Sequence, residues 1–263
     1  MIAFTHKPGL VAYLTCGDPD LETAREVALA LIDAGAEVIE LGVPFSDPVA
    51  DGPVIQRASE RALKRGTSLA SVLQVGAELR KLRPKAGLII FSYFNPVLRF
   101  GLTRFADALV SAGIDGALMT DLTVEEAADY LSAMRARNLS TIFLAAPTSS
   151  DARLKMIAEA SRPFIYAVSR TGVTGERQQI ASDASELVNR IRRFTALPIA
   201  VGFGISGAEQ FQSVGRFADA AVIGSAIVSL IEKHGAGAAQ PVADFVRGLR
   251  LNTYVSNAIS AAP

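Results

Sequence analysis

Two carboxylates lie in one short stretch of the sequence where residue type and spacing suit proton transfer. Glu40 lies at the end of an apolar, strand-like segment, and Asp51 follows it in a loop rich in proline and glycine. If Ile39 and Leu41 face one side of that strand, Glu40 faces the other side and points inward. An inward carboxylate is costly unless it has a partner or a task. Two carboxyl groups with unlike surroundings can divide into a proton donor and a hydrogen-bond acceptor near neutral pH.

A structural interpretation of the same stretch remains open at this point. Asp47 and Asp51 belong to a residue type that is common in turns, and Glu40 would then pair with an arginine. In that case neither acid would have a chemical task.

Composition excludes several classes of function. The chain has 263 residues, half of them apolar, with 26 basic and 26 acidic side chains, so no net charge favours nucleic acid or an anionic membrane. The sequence has no apolar run that would span a bilayer, and its N-terminus does not resemble a secretory signal, so we expect a cytoplasmic protein. One cysteine, Cys16, and two histidines are a poor supply for a zinc site or a Ser-His-Asp arrangement. We therefore expect chemistry without a metal.

Eight short apolar segments alternate with longer amphipathic segments along the whole chain. The predicted strands cover residues 10–15, 37–42, 87–92, 116–120, 140–145, 164–169, 198–203 and 220–224. Nearly continuous apolar runs of this length are typical of parallel strands buried on both faces. Helical patterns lie between them, for example at 21–35 and at 123–137, where Thr123 and Glu126 form a candidate capping box. The alternation predicts one α/β domain over residues 1–263, a (β/α)₈ TIM barrel, with an open doubly wound sheet as the structural alternative.

In a barrel of this kind, chemistry belongs at the C-terminal ends of the strands and in the loops that follow them. Glycine-rich and polar segments follow the predicted strands at this rim. The segment 202–207 matches the GxGxxG pattern, which leaves a dinucleotide-binding interpretation open, although that fingerprint normally opens a fold at its first strand. Gly204, Gly224 and Ser225 instead offer backbone N–H groups at two helix starts, which suits a phosphate. A third interpretation is that these glycines serve only tight turns.

Seven motifs in this order are together highly specific. They lie at residues 15–19, 40–53, 93–97, 121–126, 169–175, 202–206 and 224–228. Along nearly its full length the chain resembles the α subunit of tryptophan synthase. That resemblance implies a barrel that cleaves indole-3-glycerol phosphate to indole and glyceraldehyde 3-phosphate by a retro-aldol reaction, with no cofactor of its own. It also implies a β subunit partner, which uses pyridoxal phosphate and forms an α₂β₂ heterotetramer with it.

The resemblance also implies roles for individual residues. Glu40 would be the general acid–base, Asp51 would accept the hydrogen bond of indole N1–H, and Tyr166 would help to position Glu40 or the glycerol chain. The residues implied for substrate binding are Gly175, Gly204, Gly224 and Ser225 at the phosphate, Phe91, Leu118 and Phe203 at the indole, and Thr174, which would bind Asp51 on loop closure. Pro44 and Asp47 would lie in the loop that contacts the β subunit.

The chemistry supports this interpretation independently. Expulsion of the leaving group needs a proton on indole C3, and burial raises the pKa of a carboxyl group toward the neutral range where it can supply one. Schiff-base aldolases need a lysine inside the barrel. All lysines of this chain lie outside the predicted strands, at positions 7, 64, 81, 85, 155 and 233.

Three positions depart from the family pattern. The usual helix before the first strand has no counterpart ahead of Leu10, Thr123 stands where proline is usual, and Thr120 stands where a smaller or apolar residue is common near the indole. Three other functions stay open. They are a different barrel enzyme acting on a sugar phosphate, a non-catalytic activator of the β subunit, and a lyase that releases free indole alone.

Overall fold

The computed structural model describes residues 2–168, 177–202 and 204–251, and within these residues nine parallel strands form one sheet. The strands are β1 (Gly9–Thr15), β2 (Val38–Gly42), β3 (Gly87–Ser92), β4 (Gly116–Met119), β5 (Ser140–Ile142), β6 (Leu144–Ala145), β7 (Ile165–Val168), β8 (Ile199–Gly202) and β9 (Ala220–Ile223). Their order in the sheet is β5-β4-β3-β2-β1-β9-β8-β7-β6. Each predicted segment contains a strand.

The fifth predicted strand is divided in two at Phe143. Its first part, β5, pairs with β4, and its second part, β6, pairs with β7. The backbone N–H of Tyr166 also donates to the carbonyl of Phe143 at 3.3 Å. Because the two ends of the sheet are consecutive pieces of one chain segment, the sheet closes into the predicted barrel. The open doubly wound sheet is thereby excluded.

Helices follow the strands and pack around the outside of the barrel. Those that lie in the described ranges are α1 (Leu21–Asp33), α2 (Pro53–Lys64), α3 (Leu69–Leu82), α4 (Phe94–Phe100), α5 (Leu102–Ala112), α6 (Ala128–Arg135), α7 (Asp151–Ala160), α8 (Arg177–Arg192), α9 (Ala208–Val214), α10 (Ser225–His234) and α11 (Ala239–Leu251). None of these helices is both long and apolar enough to cross a membrane.

The predicted capping box at Thr123 is wrong. Thr123 is the N-cap of a short 3₁₀ helix, Val124–Glu126, but its side chain makes no capping hydrogen bond, and the N-cap of the following helix α6 is Ala127. The carboxylate of Glu125 instead accepts a hydrogen bond from Arg153 Nε of α7 at 2.6 Å. A tertiary ion pair and a tight backbone turn thus replace the local cap.

Side chains alternate between two apolar regions along each strand. Ile39 and Leu41 of β2 lie in the larger core between the strands and the helices, whereas Val38 lies inside the barrel with Ile89 and Leu118. Glu40 shares the inward face with Val38, as the alternation predicts. The strands therefore aim this carboxyl group into the barrel.

The N-terminal segment crosses the lower end of the barrel, where the family pattern usually has a helix. The ring of Phe4 packs against Phe164 of the barrel interior, with centroids 5.6 Å apart. The carboxylate of Glu37 accepts hydrogen bonds from the backbone N–H groups of Thr5, His6 and Leu10, at 3.2, 3.1 and 2.7 Å. This strap covers part of the lower end without any helical residue among positions 2–8.

Candidate active site

Glu40 occupies the middle of β2, in register with Tyr13 of β1 and Ile89 of β3. Its side chain is fully buried. Neither carboxyl oxygen has a hydrogen-bond partner within residues 2–168, 177–202 and 204–251, so the proposed pairing with an arginine does not occur there. Burial removes the carboxyl group from water and raises its pKa from 4.5 to about 8. Glu40 is therefore mostly protonated at neutral pH and can donate a proton.

Asp51 lies in the loop between β2 and α2 and has a different environment. The hydroxyl of Tyr93 donates to Asp51 Oδ2 at 3.2 Å and accepts the N–H of Ala50 at 2.9 Å. Burial raises the pKa of Asp51 to about 6, while the hydrogen bond from Tyr93 acts in the opposite direction. At neutral pH Asp51 is mostly ionised. The two acids therefore differ in protonation state, as expected for two carboxyl groups with unlike surroundings.

Two inward tyrosines connect the acids electrostatically. Burial raises the pKa of Tyr13 on β1 and of Tyr166 on β7, and the charges of Asp51 and of Glu40 in its ionised form raise it further. Both carboxyl groups therefore act on the same pair of phenols. This supports their convergence on one site from a strand and from a loop.

A cavity of about 270 Å³ opens at the C-terminal ends of the strands beside these groups. It is lined by Tyr13, Glu40, Ala50, Ile55, Phe91, Tyr166, Val168, Gly202, Gly204, Ile205, Val222, Gly224 and Ser225. Six of the predicted site residues thus share one cavity, while Asp51 lies next to its wall at Ala50. One end of the cavity is acidic, and the other end is built from glycine and serine backbone.

The glycine end is suited to an anion. Gly224 is the N-cap of α10, and Ser225 is its first residue. Backbone N–H groups in the first turn of a helix have no partner within the helix, and the helix dipole adds partial positive charge there. Gly204 has a φ of +73°, a left-handed conformation that favours glycine, and brings bare backbone to the same cavity. Because the GxGxxG segment follows the penultimate barrel strand, the dinucleotide interpretation is not supported.

The other predicted site residues are placed as follows. Phe91 lines the cavity, whereas Leu118 lies fully buried in the barrel interior and is not among the described lining residues. Thr174, Gly175 and Phe203 lie outside the described residues. In the loop after β2, Pro44 is buried and Asp47 is exposed.

Sequence reasoning missed the roles of Tyr93 and Tyr13. Tyr93 follows β3 directly, and its ring stacks on Phe45 with centroids 5.0 Å apart, so it ties the Asp51 loop to the neighbouring strand end. Its position in the motif at 93–97, at the rim where the strands end, was the available signal. Tyr13 could have been found from the alternation of β1, which directs it inward beside Glu40. Thr120 is half-buried, and its hydroxyl donates to the carbonyl of Ser92 at 3.4 Å.

A larger cleft of about 940 Å³ lies at the opposite end of the barrel. Its walls include Phe4, Lys7, Arg162 and Asp219. The described part of this cleft holds no fully buried, unpartnered acid, and it faces the N-terminal ends of the strands. Barrel chemistry occurs at the C-terminal ends, so the smaller cavity is the active-site candidate despite its size. No group of three or more metal-ligating side chains occurs among the described residues.

The family model of the tryptophan synthase alpha chain matches residues 3–255. The chain belongs to the tryptophan synthase alpha chain family. The alpha chain of Solibacter usitatus is 50% identical over 234 residues, which cover 89% of this chain and 87% of that relative. The alpha chain of a Roseiflexus species is 46% identical over 246 residues, covering 93% and 94% of the two chains.

Solved structures of tryptophan synthase agree with this membership. A chain of the α₂β₂ complex from the hyperthermophile Pyrococcus furiosus superposes with a TM-score of 0.87 at 38% identity, covering 92% of this chain and 98% of that chain. A chain of ligand-free tryptophan synthase from M. tuberculosis superposes with a TM-score of 0.84 at 34% identity, covering 93% and 94%. As a tryptophan synthase alpha chain, the protein is a carbon–carbon lyase of tryptophan biosynthesis. It cleaves indole-3-glycerol phosphate to indole and glyceraldehyde 3-phosphate.

Proposed function

We propose that Glu40 is the general acid–base of this cleavage and that Asp51 is the anion that binds the indole N1–H. One observation carries the proposal. Glu40 is fully buried, has no hydrogen-bond partner within the described residues, and lines the same cavity as the N-terminus of α10. Burying an acid without a hydrogen-bond or ion-pair partner is energetically unfavourable, and this supports a role for Glu40 toward a bound ligand.

The first step is protonation of the indole ring. Glu40, whose pKa is raised to about 8, delivers its proton to indole C3, which becomes tetrahedral. The ring then carries positive charge that is shared with N1. Asp51, whose pKa lies near 6, stabilises this charge by accepting the N1–H hydrogen bond.

The second step breaks the carbon–carbon bond. The carboxylate of Glu40 accepts the proton of the hydroxyl on the glycerol carbon that is attached to C3. As that oxygen forms the aldehyde, the bond to C3 breaks and its electron pair restores the aromatic ring. Indole and glyceraldehyde 3-phosphate leave, and Glu40 is again protonated. One carboxyl group thus serves as acid and then as base.

The remaining site residues receive their roles from the family resemblance and from the cavity. The backbone at Gly175, Gly204, Gly224 and Ser225 binds the phosphate, with the N-terminus of α10 as its main electrostatic support. Phe91, which lines the cavity, offers apolar surface to the indole, and Tyr166 positions Glu40 or the glycerol chain. The resemblance gives the indole role also to Leu118, which is buried in the barrel interior, and to Phe203, which lies outside the described residues. The resemblance gives Thr174, which lies outside the described residues, the role of binding Asp51.

A β subunit is the proposed partner, in an α₂β₂ assembly, and pyridoxal phosphate belongs to that partner. The solved relative from Pyrococcus furiosus is a chain of such an α₂β₂ complex. On this chain the loop after β2, with Pro44 and Asp47, is the proposed contact. Val49 in the same loop is 86% exposed, the largest value among the exposed large apolar side chains of the described residues. We place this single barrel domain, residues 1–263, in the cytoplasm.

A coupled assay for glyceraldehyde 3-phosphate tests the function directly. Purified chain is given indole-3-glycerol phosphate, with and without a β subunit. We expect slow release of glyceraldehyde 3-phosphate by the chain alone and a large stimulation by the partner. Release in neither condition would reject the lyase. Stimulation of the β reaction without any cleavage would instead identify a non-catalytic activator.

A further inference from the structure

Tyr13 lies between the two ends of the active-site cavity. It is 5% exposed, pairs in register with Glu40, and packs edge-on against Phe91 at 4.9 Å between ring centroids. Its ring lies over Gly42, where an added Cβ would be 2.5 Å from the Tyr13 hydroxyl oxygen. An added Cβ on Gly224 would be 3.4 Å from the ring on the other side. The ring therefore forms the wall that joins the acid end of the cavity to its phosphate end.

The Tyr13 hydroxyl is held by a second buried hydroxyl. Tyr13 Oη and Thr15 Oγ1 are 3.2 Å apart, and Thr15 is 1% exposed. A phenol oxygen donates one hydrogen bond and can accept another, so whichever of the two atoms donates, Tyr13 Oη keeps capacity for one further partner. Burial and the neighbouring carboxylates raise the pKa of Tyr13, which keeps this hydroxyl neutral. A neutral hydroxyl of fixed position suits a neutral polar group on a ligand.

The proposed reaction leaves one polar group of the substrate without a partner. Glu40 interacts with the glycerol hydroxyl next to indole C3, and the backbone at Gly224 and Ser225 binds the phosphate. The hydroxyl on the middle glycerol carbon lies between those two groups. We propose that the Tyr13 hydroxyl, held by Thr15, binds this middle hydroxyl and so makes Tyr13 a substrate-binding and specificity-determining residue. This inference rests on the proposed function.

The test compares two ligands that differ in the glycerol hydroxyls. One is indole-3-glycerol phosphate, and the other is 3-(indol-3-yl)propyl phosphate, which has the same ends but neither secondary hydroxyl. Dissociation constants are measured in a Glu40→Gln background, where the first ligand is not consumed. Adding Tyr13→Phe should reduce the affinity for indole-3-glycerol phosphate about five- to tenfold, which is the loss expected for one neutral hydrogen bond. The propyl phosphate should bind within about twofold of its original affinity.

Thr15→Val is the matched second variant, because it keeps the shape of the side chain and removes the hydroxyl that holds Tyr13. It should weaken only the hydroxylated ligand, by a smaller factor, and add little in combination with Tyr13→Phe. An equal loss of affinity for both ligands in Tyr13→Phe would show that Tyr13 contributes packing and not a hydrogen bond to the middle hydroxyl. Unchanged affinity for both would exclude the contact. Thermal unfolding and circular dichroism establish that each variant is folded.

Failure of the proposed function gives a different result. If the protein with Glu40 intact releases no glyceraldehyde 3-phosphate, the proposed role of Glu40 fails. The dissociation constants of the two ligands still test the contact made by Tyr13. If that protein turns over and Tyr13→Phe leaves the affinity ratio of the two ligands unchanged, only the role of Tyr13 is rejected.

Discussion

At the scale of single residues, the site depends on what surrounds two carboxyl groups. The alternation of β2 predicted that Glu40 points inward, and the loop composition predicted that Asp51 lies near a strand end. The sequence could not show that Glu40 has no ion-pair partner among the described residues, because such partners come from other elements. It also could not show that Tyr93, 42 positions away, binds Asp51. Protonation states follow from these tertiary neighbours.

The pH dependence of cleavage follows from the two pKa values. Asp51 must be ionised, so kcat/KM should rise as pH increases through about 6, and Glu40 must be protonated, so kcat/KM should fall as pH increases through about 8. The substrate phosphate also titrates near 6, which makes the alkaline limb the clearer test. A steady-state series from pH 5 to 10 measures both limbs. A profile that stays flat from pH 7 to 9.5 would remove Glu40 as the acid.

Stability should record the cost of burying Glu40. Its folded pKa of about 8 exceeds the usual 4.5, so the folded state binds more protons between those values and the parent loses stability as pH rises through that window. Glu40→Gln removes this loss. The variant should match the parent near pH 4.5 and exceed it by up to about 3 kcal/mol in free energy of unfolding at pH 7. Urea unfolding at several pH values checks this, and a difference independent of pH would contradict it.

At the scale of helices and strands, the pattern of apolar segments was sufficient for the order and type of the strands. It was not sufficient to predict the break at Phe143, because residues 140–145 form one uninterrupted strand-like segment in the sequence. The division arises because the first part pairs with β4 and the second part pairs with β7. Local signals at helix starts were similarly incomplete. Asp20 caps α1 by accepting the N–H of Thr23 at 2.8 Å, whereas Thr123 caps no α-helix. Tertiary contacts decide which local signals are used.

The pairing of β4 with β5 should tolerate no side chain at Gly116. A Cβ there would lie 2.2 Å from the carbonyl oxygen of Ser140, which is backbone and cannot rotate away. We expect Gly116→Ala to lower the free energy of unfolding by about 2–3 kcal/mol. Gly248→Ala is the matched control, because α11 has open space at that position, and it should raise stability by roughly 0.5–1 kcal/mol. Chemical denaturation measures the free energy of unfolding of both variants. Equal changes in the two would contradict the close approach of Gly116 to the Ser140 carbonyl.

At the scale of the whole molecule, barrel closure brings the inward acid of β2, a loop acid and a helix N-terminus together at one end of the barrel. The number of strands and their loops made this end predictable from sequence. The lower end was less predictable. The strap at residues 2–8 covers this end through the contact of Phe4 with Phe164 and the hydrogen bonds to Glu37. Such contacts join residues far apart in sequence and have no local signature.

Coupling to the partner should depend on the loop after β2. Asp47 is exposed there and lies four residues before Asp51. Asp47→Asn should reduce the stimulation of cleavage by a β subunit about two- to fivefold, as expected for loss of one interface charge, while turnover of the isolated chain is unchanged. Asp129→Asn, an exposed change on α6, is the control and should leave stimulation intact. Equal stimulation of both variants would move the interface away from this loop.

The most direct measurement is release of glyceraldehyde 3-phosphate by Glu40→Gln in the presence of a β subunit, together with the affinity of the variant for 3-(indol-3-yl)propyl phosphate. Because glutamine keeps the size of the side chain but is neither an acid nor a base near neutral pH, we predict that cleavage is abolished and that the affinity is unchanged. Turnover within about tenfold of the parent would contradict the central role of Glu40.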